Sequence, residues 1–198
     1  MKRMIYITAT ILTLFILVQV IMSYSNSKIE NPDYKVIKDY GDFEVRQYDS
    51  MIVASTLLAG KTYEQNASDG FRRVAAYIFG QNEREEKISM TSPVFMEMGS
   101  TPSMSFVMPK QYTRQDLPGP TVQGVQLISV KPMRMAVIRF SGYANDEKIA
   151  RYRRKLMELM TKKGIKPGGR YYFLGYNAPW QVIGRRNEVA IELALDKD

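Results

Sequence analysis

The feature that most constrains this chain is its N-terminal run: Lys2-Arg3 precede 19 residues, 4–22, that carry no charge. At ~1.5 Å per helical residue, such a run approaches the ~30 Å hydrocarbon core of a bilayer. It is apolar on all sides and lies at the terminus, which argues against a helix buried in a soluble core. Two readings stay open. Residues 1–25 form an uncleaved signal anchor, with the basic pair holding the N-terminus in the cytoplasm. Alternatively they form a signal peptide, cleaved near the small-x-small pattern Ser23-Tyr24-Ser25. The run is longer than the ~7–15 apolar residues usual for a signal peptide, which favours the anchor. The expected location is membrane-anchored with the domain on the non-cytoplasmic side, or secreted or periplasmic if the segment is removed. Residues 26–33, rich in Ser, Asn and Lys and containing Pro32, read as a tether, leaving 34–198 for a single domain.

Within that domain, hydrophobic periodicity assigns the elements. Residues 34–38 and 43–48 alternate apolar and polar around Tyr40-Gly41-Asp42, a hairpin signal, and 51–59 reads as a buried strand. Phe71, Val74, Ala75 and Ile78 then recur at helical spacing, predicting a helix over 63–79 that stops at Gly80. Strands are predicted over 88–98 and 104–108, and an exposed loop over 111–124 around Pro118-Gly119-Pro120. The second half repeats the order: strands 125–130 and 133–140, a helix 146–163 burying Ile149, Tyr152, Leu156, Leu159 and Met160, then strands 171–175 and 188–195. A shift of 82 positions lays Met51 on Met133, Ala54 on Ala136 and Gly60 on Gly142. The expected fold is α+β, a partly closed antiparallel sheet with two helices.

Composition excludes several chemistries. With no Cys there is no disulfide, thiolate nucleophile or zinc-thiolate site. With no His there is no Ser-His-Asp triad, no imidazole base, and no histidine ligand for zinc or haem iron. No catalytic residues and no metal-binding residues are assigned. Setting aside Lys2 and Arg3, 26 basic residues face 20 acidic ones, which favours anionic partners. The basic run Arg151-Tyr152-Arg153-Arg154-Lys155 lies on a predicted helix without a nucleic-acid-binding motif, so nucleic acid is not expected as a partner, whereas anionic lipid is compatible with it.

The most distinctive segment is C-terminal. Gly175-Tyr176-Asn177-Ala178-Pro179-Trp180 holds the only tryptophan, and Arg185-Arg186-Asn187-Glu188-Val189 opens the last strand. Alternation places Val189, Ile191 and Leu193 toward a core and Glu188 and Glu192 away from it. This segment resembles the C-terminal signature of the SOUL/haem-binding protein family. Three further motifs follow that family's order: Phe43-Glu44-Val45-Arg46-Gln47-Tyr48, Ile88-Ser89-Met90-Thr91-Ser92-Pro93-Val94 and Ser105-Phe106-Val107-Met108-Pro109. The resemblance implies a distorted antiparallel β-barrel or sheet of about eight strands with two helices and a pseudo-twofold repeat, an architecture shared with effector-binding domains, with an apolar groove beside a helix.

It also implies a function: non-enzymatic binding of haem or another tetrapyrrole, here without histidine ligation and tethered to the membrane by the N-terminal helix. The alternative is an interaction module on the same fold, taking a protein partner, lipid or small amphipathic effector without haem. In the family, basic residues of the first domain helix are expected to meet haem propionates, which makes Arg72 and Arg73 candidates, although basic residues beside an apolar helix face are often only solvated. Tyr176 and Trp180 are candidates for the groove's aromatic wall, Trp180 most of all because Pro179 fixes the loop before it. Of Arg185 and Arg186, one is expected to border the ligand and the other to pair with Glu188 and hold the closing strand. The methionines at 90, 96, 98, 104 and 108 read as core filler that also suits a flat apolar ligand.

Overall fold

The computed structural model describes residues 2–27 and 29–194. Helix α1 (Lys2–Ser27) leads into β1 (Tyr34–Asp39), β2 (Glu44–Tyr48) and β3 (Met51–Leu57), followed by α2 (Tyr63–Ile78), β4 (Val94–Met98) and β5 (Ser103–Val107). The second half comprises β6 (Val125–Val130), β7 (Met133–Ser141), α3 (Asp146–Lys162), β8 (Pro167–Gly175) and β9 (Arg186–Leu193). The end of the expected 188–195 strand, Leu195, and the last residues of the expected 34–198 domain lie outside the described residues.

All nine strands form one antiparallel sheet in the order β1-β2-β7-β9-β8-β4-β5-β3-β6. Its symmetry is a strand exchange. The first strand of each half pairs with the second strand of the other half, so Tyr48 lies opposite Met133 in β2–β7, and Val130 lies opposite Met51 in β6–β3. Those two pairs are related by the 82-position shift seen in sequence. The pseudo-twofold passes between β4 and β8, where Met96 faces Phe173. Eight strands thus form the symmetric set, and β1 is an extra edge strand outside it.

The two domain helices cover one face of the sheet. Val74, Ala75, Tyr77 and Ile78 of α2 and Ile149, Leu156 and Met160 of α3 pack on Ala54, Met96, Phe106, Ile138, Phe173, Val189 and Ile191. Thr62 caps α2, its hydroxyl accepting from the Gln65 N–H at 3.3 Å, and Asn145 caps α3 by accepting from Lys148 N–H at 2.9 Å. Gly70 permits the close approach of α2, because a Cβ there would stand 2.6 Å from Leu58 Cδ2. The opposite face curls onto itself around Tyr48, Val53, Phe95, Met135, Val137, Tyr172, Leu174, Tyr176 and Ala190.

That second core corrects the reading of the last strand. Glu188 does point away from the helices, but the curled sheet encloses it and it is fully buried. The strand expected over 88–98 is also shorter. Only Val94–Met98 pairs, because Pro93 has no amide N–H and the Ser92 N–H donates instead to the Glu30 carbonyl at 2.9 Å. The same contact, with Lys110 Nζ at 2.6 Å from Asp33, pins the segment after α1 to the domain.

Candidate functional site

The sequence-derived candidates separate into three places. The first is inside the curled face. Glu188, on β9, accepts from Arg46 of β2 at 2.9 and 3.2 Å, from Arg186 at 2.7 and 3.0 Å, and from the Tyr176 hydroxyl at 2.7 Å. Arg46 also pairs with Glu44 at 2.6 Å and lies over the Tyr34 ring, while Arg186 lies over Tyr176. Burial alone would raise the Glu188 carboxyl, but the two guanidiniums and the Tyr176 hydrogen bond outweigh it and hold the group below the usual carboxylate range. Burial pushes the Tyr48 phenol up to about 12, and burial followed by the nearby Glu188 charge raises that of Tyr176. Two arginines and two glutamates balance, and Arg186 and Tyr176 face this network. The arrangement ties β2, β9 and the loop after β8 together.

The second place is that loop, 176–185. Arg185 donates to the carbonyls of Ala178 and Gln181 at 2.8 and 2.6 Å and stacks on Tyr143, in the turn leading into α3. The Asn177 side chain accepts from the Arg186 N–H at 2.6 Å, closing the base of the loop. Trp180 projects outward from it and is 66% exposed. The third place is the outer face of α2, where Arg72 and Arg73 both pair with Asp69, at 3.1 and 2.5 Å, and Arg73 also reaches Thr56 at 3.2 Å. None of these six candidates lines either of the two recesses described next.

A groove of about 510 Å³ lies elsewhere, between the start of α2 and one flank of α3. Its wall is apolar: Ile149 and Met157 of α3 face Met98 and Tyr171, which are directly paired across β4–β8. Lys61, Arg153 and Arg154 form its rim, with Arg153 stacked 4.0 Å from the centre of the Tyr171 ring. Asp146 also lines it, but its carboxylate is engaged, accepting from the N–H groups of Tyr63 at 2.6 Å and Glu64 at 3.4 Å at the start of α2. Among the described residues, none of the ion pairs uses Lys61, Arg153 or Arg154. A volume in the ~300–1,000 Å³ range, a mostly apolar lining and a few convergent charges are the usual properties of a small-molecule site. A second recess of about 320 Å³ lies by Met51 and Met108, and there Lys110 is paired with Asp33. Among the described residues no cluster of three Asp or Glu side chains offers a metal site.

Residues 29–192 match the family of the SOUL heme-binding protein. The chain belongs to that family. Heme-binding protein 2 of Homo sapiens is 29% identical over 174 residues, covering 81% of this chain and 84% of that protein. Heme-binding protein 1 of Xenopus laevis is 28% identical over 173 residues, covering 81% and 90%. Among solved structures, the EcmrR C-terminal domain aligns with a TM-score of 0.58 at 9% identity, over 81% of this chain and 97% of that one. A hydrolase from Listeria innocua aligns at 0.53 and 9% identity, over 79% and 94%. At such identity these two share only the fold.

In this SOUL-family chain the groove cations Lys61, Arg153 and Arg154 are not among the ligand candidates read from the sequence, whereas Met98 is. A signal for them existed. Ile149, Arg153 and Met157 are spaced by four, so they form one stripe on α3 that starts at the buried Ile149 and runs along the edge of the buried face. What the sequence does not display is that Met98 and Tyr171, 73 positions apart, are neighbours across the strand pair.

Proposed function

We propose that this protein is a membrane-tethered, non-enzymatic carrier that holds haem or another carboxylate-bearing tetrapyrrole in the groove beside α3, without histidine ligation. The observation that carries the proposal is an apolar wall next to three cations that have no carboxylate partner among the described residues. Met98, Ile149, Met157 and Tyr171 would lie against the macrocycle, and Lys61, Arg153 and Arg154 would meet its carboxylates. Membership of the SOUL family, and relatives named for heme binding, support the ligand class. The tetrapyrrole is cargo in this reading. Two of the groove's polar side chains are engaged in holding α2: Asp146 accepts from two backbone N–H groups and the Thr62 hydroxyl from the Gln65 N–H. The length of the uncharged run, 19 residues against the ~7–15 usual for a signal peptide, supports an anchor retained in the mature protein.

With no imidazole to bond iron, affinity comes from burial and ion pairing, and around micromolar, about −8 kcal/mol, is expected. Titrating the full chain in detergent with haemin and with metal-free protoporphyrin tests this. Similar affinities, both weakened about tenfold or more by Arg153→Glu with Arg154→Glu, are the expected result. Saturable binding of neither compound refutes the tetrapyrrole reading and favours a different amphipathic effector on the same groove.

A further inference from the structure

Helix α1 touches the rest of the molecule through a polar latch. Gln19 is 4% exposed and is the one buried residue among the described side chains of α1. Its amide bonds in both directions to the loop between β8 and β9: Nε2 donates to the Trp180 carbonyl at 3.5 Å, and Oε1 accepts the Val182 N–H at 2.9 Å. A side-chain amide within an uncharged apolar run needs such partners, because lipid supplies none. The loop in turn is stiffened. Besides Arg185, the Gln181 side chain donates to the Ile183 carbonyl at 3.2 Å and the Tyr143 hydroxyl to the Pro179 carbonyl at 3.2 Å.

The side chains this loop turns outward are apolar: Trp180 is 66% exposed, Val182 48% and Ile183 48%. Holding three such groups in water is unfavourable, and their place beside α1 indicates what covers them. Gln19 lies three residues before Met22, the end of the uncharged run, or about 5 Å along the axis at ~1.5 Å per residue. A bilayer spanned by that run therefore has its headgroup boundary near the loop, at the ~5–10 Å depth that interfacial apolar faces reach. Tryptophan is suited to that depth, with an apolar ring and an N–H donor, and the exposed Tyr24 lies near the same end of α1.

We propose that the 176–185 loop is a second membrane contact, in which Trp180, Val182 and Ile183 enter the interfacial zone of the bilayer that α1 crosses, with Gln19 fixing the loop to the anchor. The inference rests on the reading of α1 as an uncleaved anchor. It also orients the domain. Through Tyr143 the loop adjoins the start of α3, so the end of the groove at Asp146 is the end nearer the lipid.

Trp180 is the sole tryptophan, so its fluorescence reports on this loop alone. The full chain is reconstituted into phosphatidylcholine–phosphatidylglycerol vesicles with and without brominated acyl chains, and flotation is measured on the same samples. The expected result is a floating protein whose emission is blue-shifted, protected from iodide and largely quenched by the brominated lipid. Val182→Asp with Ile183→Asp should still float but lose most of that quenching. Protein that floats with Trp180 open to iodide and untouched by brominated lipid overturns the loop contact and leaves the anchor standing. Protein that does not float overturns both, while porphyrin binding is judged separately by titration. Quenching in the double variant equal to that of the parent removes Val182 and Ile183 from the contact and overturns the three-residue patch.

Discussion

Glu188 shows how a single buried side chain can tie strands distant in sequence together. Its carboxylate is fully buried and accepts from two arginines and a tyrosine. Removing it leaves two guanidiniums facing the enclosed core with no carboxylate between them, a loss of about 3–5 kcal/mol for broken buried pairs. Glu188→Ala should therefore lower the urea midpoint of the full chain in detergent by that equivalent, followed by circular dichroism. The pH dependence has a definite sign. The folded pKa lies below the unfolded value of ~4.3, so the unfolded chain binds the proton more readily. The stabilisation is thus complete above ~pH 4.3 and disappears as pH falls through the depressed folded value. A Glu188→Gln variant should be weaker at neutral pH and lose less stability on acidification than the parent, in the same denaturation series. A slope in acid equal to that of the parent would place the titrating group elsewhere.

At the scale of elements, the most informative contact is between the two domain helices. Asp146, the first residue of α3, supplies its carboxylate to the first N–H groups of α2, doing for a neighbouring helix what a capping residue does for its own. Asp146→Ala is expected to cost about 0.5–2 kcal/mol in denaturation, as loss of a cap does, without weakening porphyrin binding, because it removes a negative charge from the groove. A fall in affinity in titration would show that the helix starts shape the groove more than its charge does. Both helices were legible in sequence from apolar spacing, and each ends one residue before the expected bound, at Ile78 and Lys162, with a single cap residue before Gly80 or Gly164. The strand over 88–98 was not. Its apolar residues alternate as a strand does, but Pro93 and the Ser92–Glu30 bond divert the backbone before Val94.

The whole molecule is a pseudo-twofold sheet with one helix-covered face, one self-enclosed face and an apolar helix held by a latch. Because no described residue of α1 belongs to the domain's hydrophobic core, that core does not depend on it. Removing residues 1–27 should give a chain that no longer floats with vesicles but keeps its porphyrin affinity within about threefold, a difference of under about 1 kcal/mol. Binding measured at rising salt should weaken in both forms, since the exposed rim cations are screened over a Debye length of ~10 Å at 0.1 M. An affinity that disappears with α1 would instead place the ligand against the anchor.

The sequence by itself determined the class of fold, the repeat, the family and the exclusions that follow from having neither His nor Cys, because periodicity, motif order and composition are local or additive properties. Tertiary structure alone decided which cations meet which carboxylates. Arg72, Arg73 and Arg186 look as available in sequence as Arg153 and Arg154, yet the first three are ion-paired and the last two line a groove. The physical reason is that a charge's availability depends on partners brought beside it by folding, as when β2 carries Arg46 across 142 positions to Glu188. Likewise Glu188 alternates out of one core, and only the curl of the sheet, a property of nine strands together, places it inside another.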